Sequence, residues 1–206
     1  MSPLRALARA GWLALAGLAL AGCISVLPKT PPAQLYRFGA AEQADPAAPG
    51  AGMIGKGAVS FDSAAQTDRI LTVTGGTAAY IAGARWVSPA PVLFDEALTR
   101  TFERTPGAPR LAQRGGVFNA PLILTVDVEA FEARYDQGAE AAPTVVVQVR
   151  ALLIRTSDRT VAAEKNFSTS QRASDNRVGA IVEAFDQAVQ KTLTDLTTWS
   201  GAQAGA

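Results

Sequence analysis

A single cysteine, Cys23, closes an uncharged apolar run from Ala10 to Ala21, and that junction decides where the folded part of this chain can begin. The run has 12 residues, short of the ~20 that a helix needs to cross a bilayer. Arg5 and Arg9 precede it, and the small residues Ala21 and Gly22 end it. A basic start, a short apolar middle and a small-residue end make a signal peptide, which the mature protein lacks. Residues 1–22 are therefore set aside from the fold.

Leu20-Ala21-Gly22-Cys23 resembles a bacterial lipobox. That resemblance implies cleavage between Gly22 and Cys23, a diacylglycerol on the Cys23 thiol, and an N-acyl chain such as palmitate on its new amino group. One acyl chain holds a protein only marginally at ~0.8 kcal/mol per buried methylene, whereas two or three make release negligible. Ile24 follows the cysteine, where an aspartate would retain the protein at the inner membrane. By that sorting rule, the expected location is the periplasmic face of the outer membrane.

The chain has 206 residues, 48% apolar and 18% charged, enough to bury a core in one domain. Lysine plus arginine number 19 and aspartate plus glutamate 18, so no basic footprint for nucleic acid is present. Without residues 1–22 the basic total falls to 17 and the formal net charge to −1. Histidine is absent, which removes His-dependent triads and His-bearing metal sites. One cysteine leaves no intramolecular disulfide and no CxxC pair.

Residues 23–33 hold Pro28, Pro31 and Pro32 and read as a lipidated, extended tether. At about 3.1 Å per residue it spans on the order of 30 Å. A domain is expected over 34–199 and a disordered tail, SGAQAGA, over 200–206. Strands are predicted at 34–38, 57–61 and 68–75, with a short one at Tyr80-Ile81; 40–52 reads as a loop. In 121–135, Leu122, Leu124, Val126 and Val128 share one face, and Phe131 breaks the phase, so a bulge is expected near Ala130. In 144–156, Val145, Val147, Val149, Ala151 and Leu153 share a face, and 160–170 completes an antiparallel meander. Helical spacing appears at 88–105 through Phe94, Ala97, Leu98, Thr101 and Phe102. A longer amphipathic helix runs from Ser174 or Asp175 through Phe185, Val189 and Leu196 to Trp199, with Asp186 and Lys191 on its other side. The expected fold is α+β: a single domain with a mostly antiparallel sheet covered by two amphipathic helices.

Candidate chemistry is sparse. Asp127 and Glu129 lie ~7 Å apart by strand rise and invite comparison with a glycosidase pair. A solvated sheet face, with Arg150 as cross-strand partner, explains them more simply. Ser60, Ser63, Ser168 and Ser170 lack a GxSxG elbow, and the Gly-Gly pairs at 75 and 115 lack a phosphate-cradle setting. No catalytic residue and no metal ligand is assigned, and no cofactor is expected beyond the lipid on Cys23. Tyr80, Arg85 and Trp86 have the composition of an interface anchor, and equally that of a packed tryptophan beside a paired arginine.

These motifs occur in one order: the lipobox, LYRFG at 35–39, YIAGARWVSPAPVLFDEAL at 80–98, VEAFEA at 128–133, TVVVQVRALL, and AFDQAVQKTLTDLTTW at 184–199. Together they resemble the ABC-type transport auxiliary lipoproteins, the paraquat-inducible type included. The resemblance implies a non-catalytic subunit that works beside an Mce-domain (MlaD-like) periplasmic protein, an ABC permease and an ATPase. Such systems move phospholipid or other hydrophobic molecules between the membranes. Tyr80, Arg85 and Trp86 are the expected partner or lipid contacts, and an exposed strand edge would allow a homo-oligomer. The alternative is an envelope-integrity or assembly lipoprotein that binds peptidoglycan or an outer-membrane protein.

Overall fold

Alternation in three consecutive segments builds the centre of the sheet. In the computed structural model, which describes residues 32–39, 45–50, 52–113 and 119–205, β6 (Leu122–Arg134), β7 (Thr144–Arg155) and β8 (Val161–Arg172) form the expected antiparallel meander. The signal peptide, Cys23 and the tether up to residue 31 lie outside the described residues. Val126 opposes Ala151, and Val147 opposes Thr169. Leu124, Val126 and Val128 are buried with Val145, Val147, Val149, Ala151 and Leu153, as the period-2 pattern requires. The register shifts between Val128 and Ala130. Glu129 is the extra residue of this bulge, and beyond it Phe131 and Ala133 point inward.

The other edge of β6 carries parallel partners. β2 (Met53–Phe61) pairs with its first half and β3 (Arg69–Thr74) with its end. A 3₁₀ turn at Ser63–Ala65 lies between β2 and β3 in the chain. β3 turns through Gly75-Gly76 into β4 (Thr77–Trp86), its antiparallel neighbour. β1 (Gln34–Tyr36) lies parallel to β4, and β5 (Arg110–Ala112) parallel to β2. The eight-stranded sheet is therefore mixed. Most residue pairs are antiparallel, but the strands flanking the meander join it in parallel. β2 begins four residues before the predicted strand, and β4 is ten residues long rather than a short piece. Gly55, Gly57 and the alanines of β4 weaken the alternation that reveals a strand.

Two helices cover one face. α1 (Ala90–Arg104) follows Pro89 and carries Pro91 in its first turn, where the missing N–H costs nothing. It buries Leu93, Phe94, Ala97, Leu98 and Phe102. α2 (Val178–Ala204) starts a few residues later than expected, after Asp175 has accepted a bond from the Asn176 N–H and paired with Arg177. Its far end corrects the sequence reading. Residues 200–204 are helical, not a disordered tail, and Ser200 is fully buried. Gly201 passes close to Pro109, since a Cβ there would lie 3.4 Å from the proline Cδ. Small residues look like a tail by composition, yet smallness is what close packing of this last turn needs.

The core centres on aromatic rings from five elements and one connecting segment. Phe38, in the segment after β1, meets Trp86 edge-to-face at 4.9 Å, and Trp86 meets Phe185 at 5.3 Å. Phe131 lies 4.8 Å from Phe185 and 5.1 Å from Phe38; Phe61 links Phe131 to Phe94. Such pairs add about 0.5–1.5 kcal/mol each beyond the area they bury. Phe131→Ala is expected to destabilise the domain by about 3–5 kcal/mol in denaturant unfolding. Truncation after Trp199 is expected to lower the melting temperature measurably. An unchanged melting curve for the truncated chain would return 200–204 to the status of a tail.

Candidate functional site

The carboxylates of the sheet face do not form a reacting pair. Asp127 accepts a bond from Ser60 Oγ at 2.8 Å, while Glu129 falls in the bulge and is exposed. Arg150 stands across from Asp127 in register, yet its Nε donates to Glu164 Oε1 at 2.6 Å. That bond holds the Glu164 carboxyl below its usual range and raises the Arg150 guanidinium. Asp158 is lowered by the backbone N–H and hydroxyl of Thr160, which close the turn between β7 and β8. Burial raises Tyr135, whose hydroxyl donates to Asn176 Oδ1 at 2.8 Å. Among the described residues, no group of three carboxylates or thiols is placed to hold a metal ion.

Tyr80, Arg85 and Trp86 are not one surface. Successive residues of β4 point to opposite faces. Trp86 enters the aromatic core at 2% exposure, so it is a packing residue and not a contact for partner or lipid. Arg85 points outward and holds both oxygens of Asp68, at 2.8 and 3.0 Å. Tyr80 is half-buried; its hydroxyl donates to the Ala64 carbonyl, and its ring lies under the Arg69 guanidinium at 3.8 Å.

A denser node forms where the chain enters the domain. β1 lies beside β4, the Val87 N–H donates to the Tyr36 carbonyl at 2.8 Å, and Phe38 then drops into the core. Gly39 follows at φ +66°. Its N–H donates to Asp186 Oδ1 of α2 at 2.6 Å, and its carbonyl accepts from Arg100 Nε of α1 at 3.2 Å. A Cβ on Gly39 would lie 2.5 Å from the Ala97 Cβ. Gln190 donates to the second Asp186 oxygen at 2.7 Å. Asp186, expected on the outer side of its helix, is thus the acceptor that ties the entering strand to α2. Sequence periodicity missed it because a polar residue beside an apolar stripe looks solvated until a distant backbone N–H arrives.

A cleft of about 210 Å³ runs from this node between the two helices. Ala97, Val189 and Leu193 make its apolar part; Arg100, Thr101, Arg104, Gln190 and Thr194 contribute its polar part. Arg100 Nη2 is buried and has no hydrogen-bond partner.

The described residues form an α+β domain whose first strand is pinned to both helices, with no converging acid–base groups among them. Residues 35–197, from the pinned strand to the last turns of α2, match the family of ABC-type transport auxiliary lipoprotein components. The chain belongs to that family, which is a family of transport components and not of enzymes. Membership makes it a lipoprotein associated with an ABC-type transport system at the cell envelope. No curated protein matches the chain at a significant level. A crystal structure of a Xanthomonas campestris protein from a domain family of unknown function is similar, with a TM-score of 0.71 and 23% identity over 84% of this chain and 97% of that one. A hypothetical protein of Chlamydia trachomatis is also similar, with a TM-score of 0.51 and 10% identity over 74% of this chain and 97% of that one. These two likenesses carry the fold.

Two outcomes follow from this geometry. Gly39→Ala is expected to cost more than about 2 kcal/mol, from left-handed strain and the Ala97 clash together. Adding Ala97→Gly should relieve the clash but leave the strain, so a double-mutant cycle in urea should show coupling. Glu164 has a lowered folded-state pKa, so its contribution is complete above the unfolded value of about 4.3 and is lost as pH falls through the folded value. In Glu164→Gln the acid side of the stability profile should be shallower; an identical profile would mean that the Arg150 bond does not survive in solution.

Proposed function

We propose that this protein is a non-catalytic, periplasm-facing lipoprotein of an Mce-linked (MlaD-like) ABC transport system, held at the outer membrane through acyl chains on Cys23. Its system moves phospholipid or another hydrophobic molecule between the two membranes. The observation that carries this reading is the family match, whose first residue falls in the strand that the domain pins. An anchored accessory subunit must transmit the position of its lipid to its folded part. Here the Pro-rich segment leads into β1, and Phe38 and Gly39 fix that strand against both helices. A pull along β1 loads its ladder to β4 in shear and meets the buried Phe38 ring directly after it.

The lipobox with Ile24 supports the outer membrane, and the order of motifs supports an Mce-domain partner with its permease and ATPase. Of the residues first singled out for contact, Arg85 is the one exposed on β4, with Tyr80 half-buried on the same strand.

Copurification of the lipidated protein in mild detergent, read by mass spectrometry, tests the reading. The expected result is recovery of an Mce-domain protein, a permease and an ATPase, with an intact mass that starts at an acylated Cys23. Cys23→Ala should leave the chain uncleaved or soluble and lose the complex. Arg85→Ala should weaken recovery of the partner without changing the melting temperature by more than a few degrees, whereas Trp86→Ala should destabilise the fold itself. Recovery of peptidoglycan or an outer-membrane protein in place of the transporter would overturn the proposal.

A further inference from the structure

The cleft between α1 and α2 is lined by an arginine, Arg100, whose guanidinium is only partly paired. Arg100 uses Nε on the Gly39 carbonyl and Nη1 on Glu96 at 3.5 Å, while Nη2 is buried without a partner. A buried guanidinium N–H left unpaired costs about as much as a lost charged hydrogen bond. Arg100 itself lines the cleft of about 210 Å³, so an acceptor that enters there lies beside its guanidinium. Arg104 lies one turn further along the same face and lines the same cleft, with no ion pair among the described residues.

The remaining polar groups restrict what can enter. Thr101 Oγ1 donates to the Ala97 carbonyl, Thr105 Oγ1 to the Thr101 carbonyl and Thr194 Oγ1 to the Gln190 carbonyl. Their protons are spent, so these three hydroxyls offer lone pairs alone. Gln190 gives one amide N–H to Asp186, which leaves its second N–H and its carbonyl oxygen to meet a guest. Among the described residues, no carboxylate lines the cleft. Arg37, Arg100 and Arg104 stand against Glu96 and Asp186 around it, and both Asp186 oxygens are already engaged. The complementary guest thus carries an oxyanion for two guanidinium groups, hydroxyl donors for the threonine and glutamine oxygens, and a few carbons for Ala97, Val189 and Leu193.

The geometry points to a binding site for a glycerol phosphate ester. Two arginines one turn apart suit the several oxygens of a phosphate better than the two of a carboxylate. The glycerol hydroxyls meet the acceptor-only threonines. The cleft is smaller than the ~300–1,000 Å³ of sites that enclose drug-sized ligands. It therefore takes a head group and leaves acyl chains outside. This site deepens the transport reading above, on which the choice of a phospholipid as source rests. A free glycerol phosphate offers the same chemistry.

Calorimetric titration of the full-length lipidated protein, in uncharged detergent, tests the site. The probes are sn-glycerol 3-phosphate, glycerol, inorganic phosphate, and micelles doped with phosphatidylglycerol or phosphatidylcholine. Saturable binding of sn-glycerol 3-phosphate is expected, with inorganic phosphate at least about tenfold weaker and glycerol silent. Arg104→Gln should weaken binding at least about tenfold, as loss of a charge-assisted contact does. This variant leaves the Gly39 node intact, unlike Arg100→Gln. Thr101→Val should weaken binding a few-fold. Competition by phosphatidylglycerol but not phosphatidylcholine assigns the ester to a lipid head group. Binding of the soluble ester without that competition supports the site and rejects the lipid as its source. Absence of saturable binding, or equal affinity in Arg104→Gln, overturns the site. Recovery of the transporter without ester binding would defeat this inference and leave the transport reading standing; ester binding without the transporter would do the reverse.

Discussion

The bonds that Gly39 makes to Asp186 and Arg100 hold the rest of the arrangement in place. They join three stretches that are far apart in the chain: the segment after β1, the middle of α1 and the middle of α2. The backbone can make both bonds only in a left-handed conformation pressed against Ala97, and glycine alone occupies that position without strain or collision. Phe38, one residue earlier, is fully buried between Trp86 and Phe131. Polar and aromatic interactions thus act within two consecutive residues. The entering strand is short, three residues in parallel with β4, and it would have little hold by itself.

Around that node, the division of labour follows from which face each residue occupies. The helix-covered face of the sheet is aliphatic and aromatic, and the helices contribute Phe94, Phe102, Phe185 and the small residues that let them approach. The open face carries Asp127, Arg150 and Glu164, which bind one another or a nearby serine. Glu164 and Asp158, the carboxylates whose titration shifts, are both stabilised as anions, which suits ion pairs and turns and not proton donation. The chain belongs to the family of ABC-type transport auxiliary lipoprotein components.

The order of elements was largely legible in the residues. Period-2 runs in β6 and β7 and the 3.6-residue stripe of α2 are strong signals, because burial on one face forces them. Even the bulge could be read, since Phe131 breaks phase with Val128. The parallel neighbours of the meander were not legible: β2 contains two glycines, β4 is rich in alanine, and β5 has three residues. Residues 200–204 were misread for a related reason, since glycine and alanine carry almost no hydrophobic signal although they pack closely. Trp86 and Arg85 looked like one anchor in the linear sequence; strand alternation puts one in the core and the other in solvent.

Sequence alone determined that histidine is absent and that the core is α+β, because hydrophobic period and residue inventory act over short stretches of chain. Tertiary structure alone decided that Asp186 accepts from Gly39, that Trp86 is unavailable to a partner, and that Arg100 and Arg104 face a cleft between two helices. Those facts depend on contacts between residues up to about 150 positions apart, with Gly39 and Asp186 separated by 147. No local pattern records such a contact, since it comes into being when packing brings the two backbones together.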